Sequence, residues 1–247
     1  PANAVQIANR MVGQRANVIV AIATPSAQAA LGATRDIPIV FSAVTDPVAA
    51  KLVANATRPG GNVTGVSDAV SLDEHVAFAR TVVPALKRLG VVYNPGEANS
   101  VALIAKLRTA VKAAGLELVE SPANRTADLT AATERLGGKV DALYVPTDNV
   151  VASGVEAVVA AARALKIPTI GGDNSFVPRG VMAAGGGFDY HELGRITGRM
   201  VADILRGKKP GDIPVGTSTN FEIVVNQDEA RRIGFTIPDA VVARAKK

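Results

Sequence analysis

The residues with chemistry to offer in this 247-residue chain are hydroxyls and carboxylates placed where apolar runs end. Residues 18–23 form one such run, ending in Thr24-Pro25-Ser26, and residues 37–41 form another, ending in Ser42-Ala43-Val44-Thr45-Asp46-Pro47. In each a hydroxyl or an Asp stands just ahead of a proline, the pattern of an N-cap followed by proline at the first helical position. Two strand ends of this kind put Thr24, Ser26, Ala43 and Thr45 on one rim of a sheet. Hydroxyls and free helix N–H groups there suit an anion, a carboxylate above all. Helix capping alone explains each residue singly; the recurrence after two strands is what speaks for a ligand. Further along, residues 94–100 (NPGEANS), 146–149 (PTDN) and 171–174 (GGDN) end three more apolar runs. Glu97, Asp148 and Asp173 there have the charge to pair with an ammonium, although turn chemistry also favours these residue types. Asp173 is the hardest to explain as a turn residue: Gly171 and Gly172 before it would let the backbone approach a ligand, and no obvious helix follows.

Other chemistries find less support. His75 and His191 are the only histidines, both at expected helix starts with no second ligand at metal spacing, so both read as surface residues. No Gly-x-Ser-x-Gly, phosphate-binding or Gly-x-Gly-x-x-Gly motif occurs, and Gly185-Gly186-Gly187 is not a dinucleotide fingerprint. No cofactor is implied. The absence of cysteine excludes thiol catalysis, thiolate metal sites and disulfides. The net charge is +5, but the basic residues are dispersed apart from short clusters at 206–209, 231–232 and 244–247. With no basic face interleaved with aromatics, nucleic acid is not an expected partner.

The elements that position these residues alternate. A helix is expected over 4–13, then strands over 18–23, 37–41 and 63–67, with a short helix after Pro47 and another over 72–86 capped by Ser71, which Pro84 ends or kinks. From Lys87 a new alternation supplies five strands (from Leu89, Leu116, Ala142, Pro168 and Val181), separated by helices, with Asn99 or Ser100 capping the first of these. A helix over 191–205, a loop over 210–214 and a strand over 221–225 follow. The count gives an α/β protein of two doubly wound lobes: residues 1–86 with 188–247, and residues 87–187. No run approaches the length of a membrane span. The chain opens on Pro1, so a leader is expected to have been removed.

Segments throughout the chain resemble the ABC transporter substrate-binding protein family of tryptophan-binding type: AIATPSAQ (21–28), IPIVFSAVTDPVA (37–49), PGGNVTGVS (59–67), LGVVYNP (89–95), YVPTDN (144–149), IPTIGGD (167–173), the stretch 194–214 and VNQDEARRIGFTI (225–237). The resemblance implies a type 1 periplasmic-binding-protein fold with two Rossmann-like lobes, a multi-strand hinge and no enzymatic activity. The ligand would be a small amino acid, aromatic or branched, held in a cleft between the lobes that closes by hinge motion. Thr24, Ser26, Ala43 and Thr45 would hold the carboxylate and part of the ammonium. Asp173 would take the ammonium from the other lobe, and Asn94, Ser100, Thr147, Asp148 and Asn149 would line the cleft. Tyr93, Tyr144, Phe176 and Phe188 are the rings available for stacking. The partner would be an ABC permease, and the location periplasmic, or extracytoplasmic on a lipoprotein tether. The family's opening β-α-β segment has no counterpart before Ala4, so the first lobe is expected to be incomplete, with a gap in its sheet: either the sequence is a fragment of a longer protein, or a swapped or dimeric assembly fills the gap. Two other readings stay open: a two-lobed α/β enzyme of isomerase type using Asp148 or Asp173 as base, and the effector-binding half of a transcription regulator.

Overall fold

The computed structural model describes residues 2–187, 189–217 and 220–246, and of Ala2, Asn220 and Phe221 only the backbone. The elements run α1 (Ala2–Gly13), β1 (Ile19–Ile22), α2 (Thr24–Ala33), β2 (Ile39–Ser42), β3 (Val63–Ser67), α3 (Leu72–Val82), β4 (Arg88–Tyr93), α4 (Ala98–Ala113), β5 (Glu117–Pro122), α5 (Leu129–Glu134), β6 (Ala142–Val145), α6 (Asn149–Ser153) and α7 (Val155–Ala164). They continue with β7 (Thr169–Gly171), β8 (Ala183–Gly187), α8 (Tyr190–Leu205), β9 (Gly216–Thr217), β10 (Asn220–Val225), α9 (Gln227–Arg232) and α10 (Asp239–Val242). The chain divides into two compact units: residues 1–69 with 188–219, and residues 70–187 with 220–247. It therefore passes from one unit to the other three times.

The first unit carries a four-stranded sheet in the order β1-β2-β3-β9, all neighbours parallel. The expected gap is not there: the ladder is continuous, and β1 forms its edge. Being an edge, β1 is buried on one face only, although residues 18–23 are a continuous apolar run. Ile19 and Ala21 are buried, packing with Ala27 and Ala30 of α2, but Val20 and Ile22 are 46% and 67% exposed. The opposite layer, Leu193, Met200 and Ile204 of α8, packs over Val40 of β2 and Val66 of β3, one and two strands inward from that edge. The short helix expected after Pro47 is instead a turn. Ala50 N bonds to the carbonyl of Asp46, and the positive φ of Lys51 (59°) stops it before a helix can propagate. The loop expected at 210–214 leads into β9, a two-residue strand too short to show in the sequence pattern.

The second unit holds six strands in the order β10-β8-β7-β6-β4-β5, parallel except for the β10–β8 pair. Crossover helices cover both faces, which is why its strands read as near-continuous apolar runs. Leu89, Val91, Ala142, Tyr144 and Ile170 pack with α3 and α4 on one face, and Val92, Leu143 and Val145 with α5 and α7 on the other. Each fully buried side chain of this kind contributes roughly 1.5–3 kcal/mol. The helix α3 and the tail from Asn220 onward, placed with the first lobe by the strand count, lie in the second unit. The ring of Phe78 explains α3: a Cβ on Gly185 of β8 would lie 2.5 Å from it, so the glycine clears a slot in which the ring packs. The tail is pinned by Glu229 on α9, almost fully buried, which accepts two bonds of 2.8 Å from the Arg163 guanidinium on α7.

Candidate functional site

Each unit presents a polar rim at the C-terminal ends of its parallel strands. In the first unit the helix start after β1 differs from the expected cap. The N-cap position is Ala23, Thr24 is the first helical residue, and no side chain caps α2. Thr24 is buried, while Ser26, Ala43 and Thr45 are half-buried. Ala23 and Ala43, the residues that follow β1 and β2, both have positive φ (68° and 53°). Such backbones are strained for residues with a Cβ and hold only where their surroundings impose them. The Ala23 N–H is tied to the Ser42 carbonyl at 2.9 Å, which binds the two strand ends together. The result is a rim with an uncapped helix start, whose first-turn N–H groups lack a side-chain acceptor. Asp46, read as a helix cap, caps a single turn instead, accepting from Ala49 N at 2.9 Å.

In the second unit the predicted residues separate into two groups. Asp148, 1% exposed, is the N-cap of α6, and both its oxygens are occupied. One accepts from Val151 N at 2.9 Å, and the other from Asn94 N and from the Ser100 hydroxyl, both at 2.6 Å. Burial raises its pKa, a nearby negative Glu97 adds to the rise, and the three donors oppose it. Glu97 in turn accepts from the Asn94 amide at 3.2 Å and from the Asn149 amide at 2.6 Å. Asn94, Ser100, Asp148 and Asn149, expected to line a cleft, thus form a network that joins the end of β4 to the end of β6. A carboxylate so fully engaged is also a poor general base. The expected caps Asn99 and Ser100 do not cap α4, whose N-cap is Glu97.

Asp173 behaves differently. It is 0% exposed, and one carboxylate oxygen accepts from Ser175 N at 2.7 Å, capping a 3-10 turn over Asn174–Phe176. Its other oxygen, Oδ2, is buried with no partner. Four other buried side-chain atoms in this unit share that condition: Asn99 Oδ1, Thr147 Oγ1, Asn174 Oδ1 and His75 Nε2. Asn99, Thr147 and the Asp173–Asn174 pair follow β4, β6 and β7, which are adjacent in the sheet. Orphaned buried polar atoms are rare and call for an explanation. The two glycines before Asp173 have internal tasks. A Cβ on Gly172 would lie 2.6 Å from the Tyr144 hydroxyl, and one on Gly171 3.0 Å from the Asp173 carbonyl.

Sequence reasoning missed His75. It is 2% exposed, not a surface residue, and its Nδ1 lies 2.8 Å from the Tyr144 hydroxyl. Burial lowers its pKa to about 4, so the ring is neutral near pH 7. The apolar spacing of α3 held the signal, since His75 lies one helical turn from Ala79 and Phe78 on the face packed against the sheet. His191 is exposed, as expected. Of the rings considered for stacking, Tyr144 and Phe176 are buried in the hydrophobic cores, Tyr93 is half-buried against that of β4, and Phe188 lies outside the described residues. Among the described residues no cluster of His, Asp and Glu fit to hold a metal ion occurs, and no helix is long and apolar enough to cross a membrane.

The family model for ABC transporter substrate binding proteins matches residues 1–247. The chain belongs to the ABC transporter substrate-binding protein family. A tyrosine-binding protein from Clostridioides difficile is 41% identical over 92% of the chain, which spans 66% of that protein's length. Among solved structures, a conserved domain protein from Vibrio cholerae is 47% identical with a TM-score of 0.97, over 100% of this chain and 83% of that one. An ABC domain in complex with L-Trp from Streptococcus pneumonia is 34% identical with a TM-score of 0.93, over 99% of this chain and 84% of that one. The fold is that of the type 1 periplasmic binding proteins. The family comprises extracytoplasmic binding proteins, not enzymes, and its members take a small-molecule ligand and work with ABC transporter permeases.

Proposed function

We propose that this chain captures a free amino acid, aromatic or branched, as its zwitterion and delivers it to an ABC importer. The reading is carried by Asp173 Oδ2, a fully buried carboxylate oxygen without a donor. An ionised carboxylate does not keep a buried oxygen unpaired unless another group takes it, and an ammonium supplies both charge and N–H donors. Asn174 Oδ1, Asn99 Oδ1 and Thr147 Oγ1 add acceptors on neighbouring strand ends. For the carboxylate the support comes from the first unit: the uncapped start of α2 at Thr24 and Ser26, with Ala43 and Thr45 at the next strand end. Hinge closure of the two units around the ligand is the mechanism that goes with two such rims. No covalent step is needed, and specificity lies in what the ligand side chain meets. Two relatives, a tyrosine-binding protein and a domain solved with L-Trp, favour an aromatic amino acid. The location that follows is the periplasm, or the outer face of the membrane with a lipoprotein tether. A thermal-shift screen of the twenty amino acids tests the reading. Elevation of the midpoint by aromatic or branched members is expected, and a flat response to all twenty would contradict it.

A further inference from the structure

The basic cluster Arg206, Lys208 and Lys209 has no part in ligand capture. The topology gives it company. Strands β1, β2, β3 and β9 are all parallel, so the segments leading into them, residues 14–18, 34–38, 53–62 and 206–215, gather at one end of the sheet, opposite the rim. Backbone bonds tie these segments into one base. Ile19 N donates to the Pro38 carbonyl at 2.9 Å, Ile39 N to that of Asn62 at 2.8 Å, Gly60 N to that of Gly211 at 3.2 Å and Val215 N to that of Ala56 at 2.8 Å. Arg15, Arg35 and Arg58 stand on the same segments, and Lys51 lines a groove of about 410 Å³ with Arg35, Gly60 and Gly61. All seven cations are exposed, against three carboxylates at that end, Asp36, Asp203 and Asp212. Arg206 and Lys208 share Asp203, at 3.5 and 3.7 Å. Arg15, Arg35, Lys51, Arg58 and Lys209 have no ion-pair partner among the described residues. At the rim, residues 23–26, 43–47 and 68–69 carry Asp46 and Asp68 and neither Lys nor Arg.

We propose that this base is a docking face for an anionic membrane surface, where Lys and Arg meet lipid headgroup phosphates. Unpaired like charges on one face repel one another, and an anionic partner relieves that repulsion. A face for an acidic protein would carry aromatic or apolar anchors at its centre, yet these four segments hold no Phe, Tyr or Trp. Attraction of dispersed cations to anionic headgroups needs no such anchor. The family is extracytoplasmic and works with permeases, which lie in the membrane, so lipid is the polyanion at hand. Docked by its base, the first unit keeps the rim at the opposite strand ends turned to the medium, the posture for capture. The proposal stands whatever the ligand is.

The test is cosedimentation with vesicles of phosphatidylglycerol and phosphatidylcholine in equal parts, and with phosphatidylcholine alone. Wild type should bind the first and not the second, and should be released as added salt shortens the Debye length. Each Lys or Arg at such a surface adds about fivefold in affinity. The triple variant Arg35→Gln, Lys51→Gln, Arg58→Gln should therefore bind about 100-fold more weakly, with an unchanged circular dichroism spectrum. A control that removes the same charge from exposed, unpaired cations of the second unit, Lys112→Gln, Lys139→Gln, Arg244→Gln, should stay within about fivefold of wild type. No binding to the anionic vesicles, or equal binding to both kinds, overturns the proposal. So does an equal loss in the two triple variants, which would make net charge and not this face the cause. Capture by immobilised polyglutamate with none by the vesicles would make the base a protein-docking face and would also overturn it.

Discussion

Asp148 and Asp173 begin alike. Both follow strands of the six-stranded sheet, β6 and β7, which are neighbours. Both are buried and both cap the short helical turn that comes next, through Val151 N and Ser175 N. They part at the second oxygen. For Asp148 the adjoining β4–α4 connection brings two donors, Asn94 N and the Ser100 hydroxyl. For Asp173 no neighbouring element brings a second donor, and Oδ2 has no partner. One aspartate holds the rim together; the other keeps an unpaired oxygen, which the proposed function gives to a ligand. The number of donors that the next element delivers, not residue type or place in the sheet, decides which role an aspartate takes.

The comparison can be broken most severely at Asp148. Asp148→Ala orphans three buried donors and should cost about 3 kcal/mol or more of unfolding free energy, measured by urea denaturation. A loss under about 1 kcal/mol would mean that the network is not structural.

The next effect comes from the buried His75, in the same unit. The pKa of His75 in the folded state, about 4, lies below the unfolded value near 6.5. The unfolded chain therefore binds the extra proton first, so stability is fully present above pH 6.5 and is lost as pH falls toward 4. The loss attributable to His75 should reach roughly 3 kcal/mol. His75→Phe should flatten that part of the stability profile, with Tyr144 protonated throughout. A parent and variant that fall in parallel would count against a buried neutral imidazole.

Ser100→Ala removes one of the donors to Asp148 and should cost about 1–2 kcal/mol, read from the shift in urea midpoint. Asp173→Asn should be the smallest, within about 0.5 kcal/mol or slightly stabilising, because it deletes an unpaired buried charge and its amide oxygen can still accept from Ser175 N. A large loss there would erase the contrast between the two aspartates.

Much of this was legible in the sequence. Apolar runs bounded by turn residues located every strand of the two sheets except the two-residue β9, because strands packed against crossover helices carry that pattern. Asp173 was singled out by the lack of a helix after it. What escaped has physical causes. Capping chemistry and ligand chemistry use the same residues, so residue type alone does not show that Asn94, Ser100 and Asn149 direct bonds to Asp148 and Glu97. The glycines before Asp173 serve Tyr144 and a backbone carbonyl, a task set by contacts remote in sequence. His75 lay at a helix start, where propensity suggests exposure, while the packing face of α3 against β8 turned it inward. The exposed face of β1 depends on which strand forms the sheet edge, which hydropathy does not encode.

The central claim is that Asp173 receives a ligand ammonium. Its most direct test is titration of wild type and Asp173→Asn with L-tyrosine and with 3-(4-hydroxyphenyl)propanoate, which lacks the amine. The account predicts that wild type binds L-tyrosine far more tightly than the analogue, and that Asp173→Asn loses most of this preference. Equal preference in the two proteins would contradict it.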